Sequence, residues 1–216
     1  MKYIVFSDFD GTITEQDVIM SIMSIFATSE WKEIRDKIFS KEITISEGVS
    51  QLFSLIPSSK KDEIVKWCLE NIKIRDGFKD FLYFLKERHI PFIVLSGGLD
   101  FYIYPILKPY LDLITKVYSN QADFSGKFIK VKFFYWCDSF CNDDCGMCKS
   151  SVIRKYREFY DKVIYIGDSI TDIVPSKISD IIFARDYLAR ELSKEGIAYF
   201  EYETFYDIKE RLKSIL

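Results

Sequence analysis

The first fourteen residues, Met1 to Thr14, constrain this chain most. An apolar run from Tyr3 to Phe6 leads into Asp8-Phe9-Asp10, two carboxylates two residues apart, and then into Gly11-Thr12. A short apolar run without alternation reads as a strand buried on both faces, the kind that parallel sheets use. Such a strand delivers its acids at its carboxyl end, where open α/β sheets place their chemistry. Adjacent carboxylates repel each other, so later segments must supply their partners.

After Thr14 the apolar spacing becomes helical. Val18, Ile19, Ile22, Met23, Ile25 and Phe26 form one stripe, and Trp31, Ile34, Ile38 and Phe39 continue it. Ser46, Val49, Leu52, Phe53 and Ile56 predict another helix, stopped by Pro57, and Ser58-Ser59 can cap the next, through Ile64, Val65, Trp67, Cys68 and Leu69. A crossover between parallel strands needs only about a dozen residues. Residues 15–76 therefore read as an inserted helical cap, and residues 1–14 with 77–216 as an α/β core.

From Gly77 helix and strand alternate, which predicts a doubly wound parallel sheet. Phe78 to Arg88 is an amphipathic helix, Pro91 to Leu95 a strand, Phe101 to Leu107 a helix, and Leu113 to Tyr118 a third core strand. Residues 122–136 read as a hairpin around Ser125-Gly126, followed by a cysteine-rich loop that ends near 148. A helix from Ser150 to Tyr160, the strand Lys162 to Ile166, a helix from Ile173, a strand from Asp180 to Ala184 and two amphipathic helices complete the chain.

A formal net charge of −3 with dispersed basic residues gives no electrostatic case for nucleic acid. No apolar run approaches the ~20 residues of a membrane span, and no signal segment precedes the first strand. The expectation is a soluble cytoplasmic protein, with small molecules as partners.

Three strands end in polar residues: Asp8-Phe9-Asp10, Ser96-Gly97-Gly98 and Gly167-Asp168-Ser-Ile-Thr-Asp172. Parallel strands bring these ends to one edge. Converging carboxylates need a cation, and an all-oxygen set suits Mg²⁺. Ser96 and the backbone N–H groups of Gly97 and Gly98, opening a helix, suit a phosphate. With a lysine as charge clamp, these are the parts for phosphoryl transfer from a monoester.

The segments D-x-D-G-T, S-G-G, a lysine ahead of the last motif, and G-D-S-x-x-D occur here in that order. The set resembles the haloacid dehalogenase superfamily of phosphatases, with a helical cap entering after the first motif. The resemblance implies that Asp8 is phosphorylated, and that Asp10 protonates the leaving alcohol and then activates water while its carbonyl helps hold Mg²⁺. Ser96 and Gly97, with Gly98 and Thr12 beside them, would bind the phosphoryl group, and Lys149 would pair with the nucleophile, Lys155 being its competitor. Asp8, Asp10, Asp168 and Asp172 form the implied metal set. More narrowly, Ser96 to Leu107, Cys145 to Ile153, Phe183 to Leu188 and the cap phrase Ser40 to Gly48 are similar to phosphatases of methionine salvage. Phosphoserine phosphatases are the alternative. Asp17 stands where they carry a glutamate, and Gly11 where they carry a serine. A catalytically idle binding module on the same fold is a third reading, disfavoured by the intact acids and lysine.

Asp17 and Arg75, with Tyr102 and Trp136, are candidate substrate contacts, and the cap is expected to close over bound substrate. His89, at a helix end before Pro91, reads as a cap or surface residue with no catalytic part. Cys137, Cys141, Cys145 and Cys148 crowd into twelve residues. They can supply four thiolates to Zn²⁺; disulfide pairing and free thiols are the other readings.

Overall fold

In a computed structural model, which describes residues 1–216, β1 (Tyr3–Ser7) runs through the middle of the molecule. Ile4 and Phe6 turn to one face and Val5 to the other, all three wholly buried, as a strand covered on both sides requires. Four helices follow before any further strand: α1 (Val18–Phe26), α2 (Trp31–Phe39), α3 (Ile45–Ser54) and α4 (Lys61–Asn71). Thr44 starts α3 with a capping box, its hydroxyl accepting from Glu47 N–H while the Glu47 carboxylate accepts from Thr44 N–H.

α5 (Phe78–Glu87) leads into β2 (Phe92–Leu99), then α6 (Asp100–Leu107), β3 (Lys116–Asp123) and β4 (Lys130–Lys132). After the cysteine loop come α7 (Lys149–Arg157), β5 (Lys162–Gly167), α8 (Ile173–Lys177), β6 (Ile181–Ala184), α9 (Asp186–Lys194), β7 (Phe200–Glu201) and α10 (Phe205–Lys213). The seven strands form one sheet in the order β4-β3-β2-β1-β5-β6-β7, parallel throughout except for the β3–β4 pair. One face packs on α5, α6 and α10 through Phe78, Phe81, Phe92 and Phe205; the other packs on α7 through Phe6, Val152, Ile153 and Tyr165. This is the α/β arrangement that the alternation of elements predicts. No helix is long and apolar enough to cross a membrane.

Three details differ from the sequence expectation. Leu113 belongs to a 3₁₀ turn over Lys108–Leu113 that Pro109 opens, so β3 starts later and its far end is itself the first arm of the hairpin. β2 continues past Leu95: Leu95 pairs with Tyr118 and Leu99 with Asn120, so residues 96–98 bulge out of the ladder. The edge strand β7 is two residues long, too short for alternation to reveal.

The two chain segments that enter and leave the four-helix stretch are tied to each other. Thr14 bridges Ile74, Glu15 N–H donates to the Lys73 carbonyl at 2.9 Å, and Arg75 N–H donates to the Ile13 carbonyl at 2.8 Å.

Candidate active site

β1 lies between β2 and β5, so the carboxyl ends of these three strands meet at one edge. Asp8 continues the ladder beyond β1, its N–H donating to the Ile166 carbonyl at 2.9 Å. Its carboxylate Oδ1 accepts from Phe9 N–H at 2.7 Å and sits 2.8 Å from Lys149 Nζ. Gly11 then turns the chain at φ +80°; a Cβ there would lie 2.5 Å from Asp168 Oδ2, so the turn admits only glycine. The next residue, Thr12, is wholly buried and donates its hydroxyl to Asp168 Oδ1 at 2.5 Å. Thr12 therefore positions Asp168 instead of offering its hydroxyl to a phosphate.

Lys149, the first residue of α7, is 5% exposed. Its ammonium lies 2.6 Å from Asp172 Oδ1 as well as beside Asp8, and donates to Thr171 Oγ1 at 3.2 Å. Lys155 sits on the exposed side of the same helix. Asp172 is fully enclosed: Oδ1 accepts from Lys149 and from the Tyr165 hydroxyl, and Oδ2 accepts from the N–H groups of Asp168 and Ser169 at 3.0 and 2.9 Å. Asp172 spends its lone pairs inside the protein and so anchors the lysine and the Asp168 turn, supporting the expected metal set from the next turn.

Ser96 projects from the bulge of β2, where ladder pairing has lapsed. Its hydroxyl donates to Asp10 Oδ2 at 2.9 Å and accepts from Gly98 N–H at 2.9 Å, while Asn120 Nδ2 donates to the Gly97 carbonyl at 2.8 Å. A Cβ on Gly98 would fall 2.0 Å from the Tyr102 hydroxyl, whereas one on Gly97 would meet nothing within 4 Å. Tyr102 thus packs beneath the bulge, and the Gly97 side of it is open.

The electrostatics follow from burial. Burial and the Asp172 charge push Asp8 well above the usual carboxylate range, against the pull of Lys149. Burial and then Asp17 raise Asp10 to about 7, and burial and then Asp172 raise Asp168 to about 7. Burial pulls Lys149 down, but the neighbouring Asp172 and Asp8 outweigh it and hold the ammonium firmly charged. For Asp172 the charge and hydrogen bond of the same lysine outweigh burial and keep it ionised. Asp8, Asp168 and Asp172 bring carboxylate oxygens within 4.8 Å of one another, and the one ammonium beside them pairs with Asp8 and Asp172 only. The surplus negative charge and all-oxygen donors fit a hard divalent cation.

The remaining sequence candidates fall outside this cluster. Arg75 is 7% exposed and donates to the carbonyls of Gly11, Thr12, Thr14 and Glu203 at 2.6–3.2 Å. It braces the turn after β1 and has no fork left for substrate, a correction to its expected contact. Asp17 caps α1, accepting from Met20 N–H at 2.9 Å, and its charge reaches Asp10. Trp136 is 56% exposed on the cysteine loop. His89 takes φ +55° just past α5, as a helix-closing residue does. A hollow of about 710 Å³ opens where β1 and β2 begin, at the edge opposite the acids, and no aspartate or glutamate lines it. Sequence reasoning missed Asn120 and Tyr165; Tyr165 is a polar group inside the apolar run of β5, a readable signal, whereas Asn120 stands between the polar Ser119 and Gln121 of β3.

The family model described as Putative Phosphatase matches residues 3–203. A protein of Bacillus cereus (strain B4264) named 2-hydroxy-3-keto-5-methylthiopentenyl-1-phosphate phosphatase is 48% identical over 216 residues, covering 100% of this chain and 98% of its own. A Bacillus anthracis protein of the same name is 48% identical over 218 residues with the same coverage. Among solved structures, a phospho-aspartyl intermediate analogue of phosphoserine phosphatase superposes with a TM-score of 0.70 at 18% identity, covering 99% of this chain and 98% of that one. The phosphoserine phosphatase of T. onnurineus in complex with NDSB-201 gives 0.71 at 18%, covering 99% and 95%. The strand-end acids thus occur on a fold shared with these structures, in a sequence matched almost end to end, and the chain belongs to the putative phosphatase family of haloacid dehalogenase-like phosphomonoester hydrolases.

Proposed function

We propose that this phosphatase hydrolyses 2-hydroxy-3-keto-5-methylthiopentenyl-1-phosphate, the ester in the names of its Bacillus relatives, through an aspartyl-phosphate on Asp8. One observation carries the mechanism: Lys149 and Phe9 N–H both engage Oδ1 of Asp8, which leaves Oδ2 to attack phosphorus. Asp10, raised to about 7, is protonated often enough to give its proton to the leaving oxygen. It is then the base for the water that attacks the acyl phosphate, and inorganic phosphate departs. Ser96 holds Asp10 in place and, with the backbone of Gly97, receives the phosphoryl oxygens. Lys149 offsets the charge that builds on the phosphoryl group.

Asp8, Asp168 and the carbonyl of Asp10 would hold Mg²⁺. Bound there, it neutralises the acids and polarises the phosphoryl oxygens. Residues 15–76 act in this reading as a cap over the carboxyl edge of the sheet, their helices excluding water from the acyl phosphate and selecting the ester. Cap and core meet where Ser58 N–H donates to the Lys127 carbonyl and Ile129 N–H to the Ile56 carbonyl.

The test is a panel of phosphate esters that contains this enol phosphate and phosphoserine. The enol phosphate is expected to give the highest kcat/KM; a preference for phosphoserine by orders of magnitude would reverse the substrate assignment.

A further inference from the structure

The Sγ atoms of Cys137, Cys141, Cys145 and Cys148 all lie within 4.8 Å of one another, and those of Cys141 and Cys145 are 3.8 Å apart. No disulfide joins any of them. A tetrahedral ion at Zn–S distances of about 2.3 Å holds its sulfurs about 3.8 Å apart. Twelve residues are a short chain with which to surround an ion, and two left-handed residues make it possible. Asp144 at φ +47° and Gly146 at φ +71° reverse the backbone on either side of Cys145. A Cβ on Gly146 would fall 2.6 Å from the Phe133 ring, so the turn is built for glycine.

Donors stand ready for sulfur at two of the four positions. Cys148 stands at the N-terminus of the nine-residue α7, where the helix dipole favours negative charge. Ser151 Oγ donates to Cys148 Sγ at 3.0 Å, and Cys145 N–H donates to Cys137 Sγ at 3.5 Å. Arg154 approaches from the same helix, aligned by its pair with Asp138 at 2.5 Å. The fifth cysteine, Cys68, is buried in α4, apart from the group.

The loop also has two attachments. Cys148 is followed directly by Lys149. Asp144 Oδ2 accepts from the hydroxyls of Thr44 and Ser46 at 3.0 and 2.5 Å, and its carbonyl accepts from Ser46 N–H at 3.2 Å, at the start of α3.

We propose that Cys137, Cys141, Cys145 and Cys148 hold one structural Zn²⁺ as a tetrathiolate, which fixes the loop joining Lys149 to the helical segment. Four thiols give up their protons to one Zn²⁺, with no change of oxidation state. The site is separate from the carboxylates and does not depend on the phosphatase reading.

The wild-type protein, dialysed into Mg²⁺ buffer without chelator, tests it by elemental analysis and native mass spectrometry. One zinc per chain is expected, released when an organomercurial titrates the thiols, and one Co²⁺ bound to the stripped protein should give the intense visible bands of a tetrahedral tetrathiolate. Cys68→Ser should keep the zinc; Cys141→Ser and Cys145→Ser should lose it or bind it far more weakly. A metal-free chain whose mass is that of five free thiols overturns the proposal. A mass lower by the hydrogens of one or two disulfides, or iron in place of zinc, overturns it equally.

Discussion

Asp172 holds Lys149 at 2.6 Å in a space where neither side chain is more than 4% exposed. The same ammonium reaches Asp8 at 2.8 Å, so the orientation of the proposed nucleophile depends on an acid that is itself fully buried.

Lys149→Met should therefore act twice. Loss of a charge aimed at the phosphoryl group is worth about 10²–10³ in kcat. Removing one member of a buried pair leaves Asp172 uncompensated and should cost about 3–5 kcal/mol of stability. Single-turnover rates with an aryl phosphate and a urea midpoint measure the two separately. Lys155→Met, on the exposed side of α7, should leave both near wild type.

Asp10→Asn keeps the hydrogen bond from Ser96 but supplies no proton. It should slow turnover by about 10²–10⁴. In the proposed mechanism protonated Asp10 serves the leaving group, so the phosphorylation step should fall as pH rises through about 7. Asp10→Asn should flatten that limb in a pre-steady-state pH profile, and a limb unchanged by the substitution would remove Asp10 from the proton transfer.

The buried acids also predict how stability responds to pH. Asp10 and Asp168 rise from the ordinary 3.8 to about 7 in the folded state. Between those values the folded chain holds more protons than the unfolded one, so stability falls as pH rises. Their contribution is complete below about 4 and lost above about 7. In chelator, Tm should drop across that window. Mg²⁺ should raise Tm more at pH 8 than at pH 5, because it binds the ionised acids. Calorimetry at the two pH values, with and without Mg²⁺, checks the sign.

Gly98 touches the hydroxyl of Tyr102, where a methyl would come within 2.0 Å. Gly98→Ala should displace the bulge that carries Ser96 and reduce kcat by about 100-fold. Adding Tyr102→Phe removes the obstructing oxygen, and the double variant should recover part of the lost rate. Equal rates for the single and double variants would count against this steric reading.

The strand-end acids were legible because three apolar runs end in polar residues that a parallel sheet brings to one edge, two of the three carrying acids. Alternation of elements likewise announced the core, and helical spacing without strands announced the segment from 18 to 71. What remained hidden depends on three-dimensional hydrogen bonding. Arg75, Thr12 and Asp172 look like ligand groups in a sequence, and only the fold shows their polar atoms consumed by four carbonyls, by Asp168 and by Lys149. The β2 bulge was invisible because a two-residue slip in pairing leaves the apolar run unchanged.

The most direct measurement is rapid acid quench of the wild-type enzyme during turnover, followed by peptide mass mapping. A phosphoryl group is expected on the peptide containing Asp8, destroyed by hydroxylamine as an acyl phosphate is, and missing from Asp8→Asn, which should not turn over. A label on another residue, or Asp8→Asn working at the wild-type rate, would contradict the nucleophilic role of Asp8.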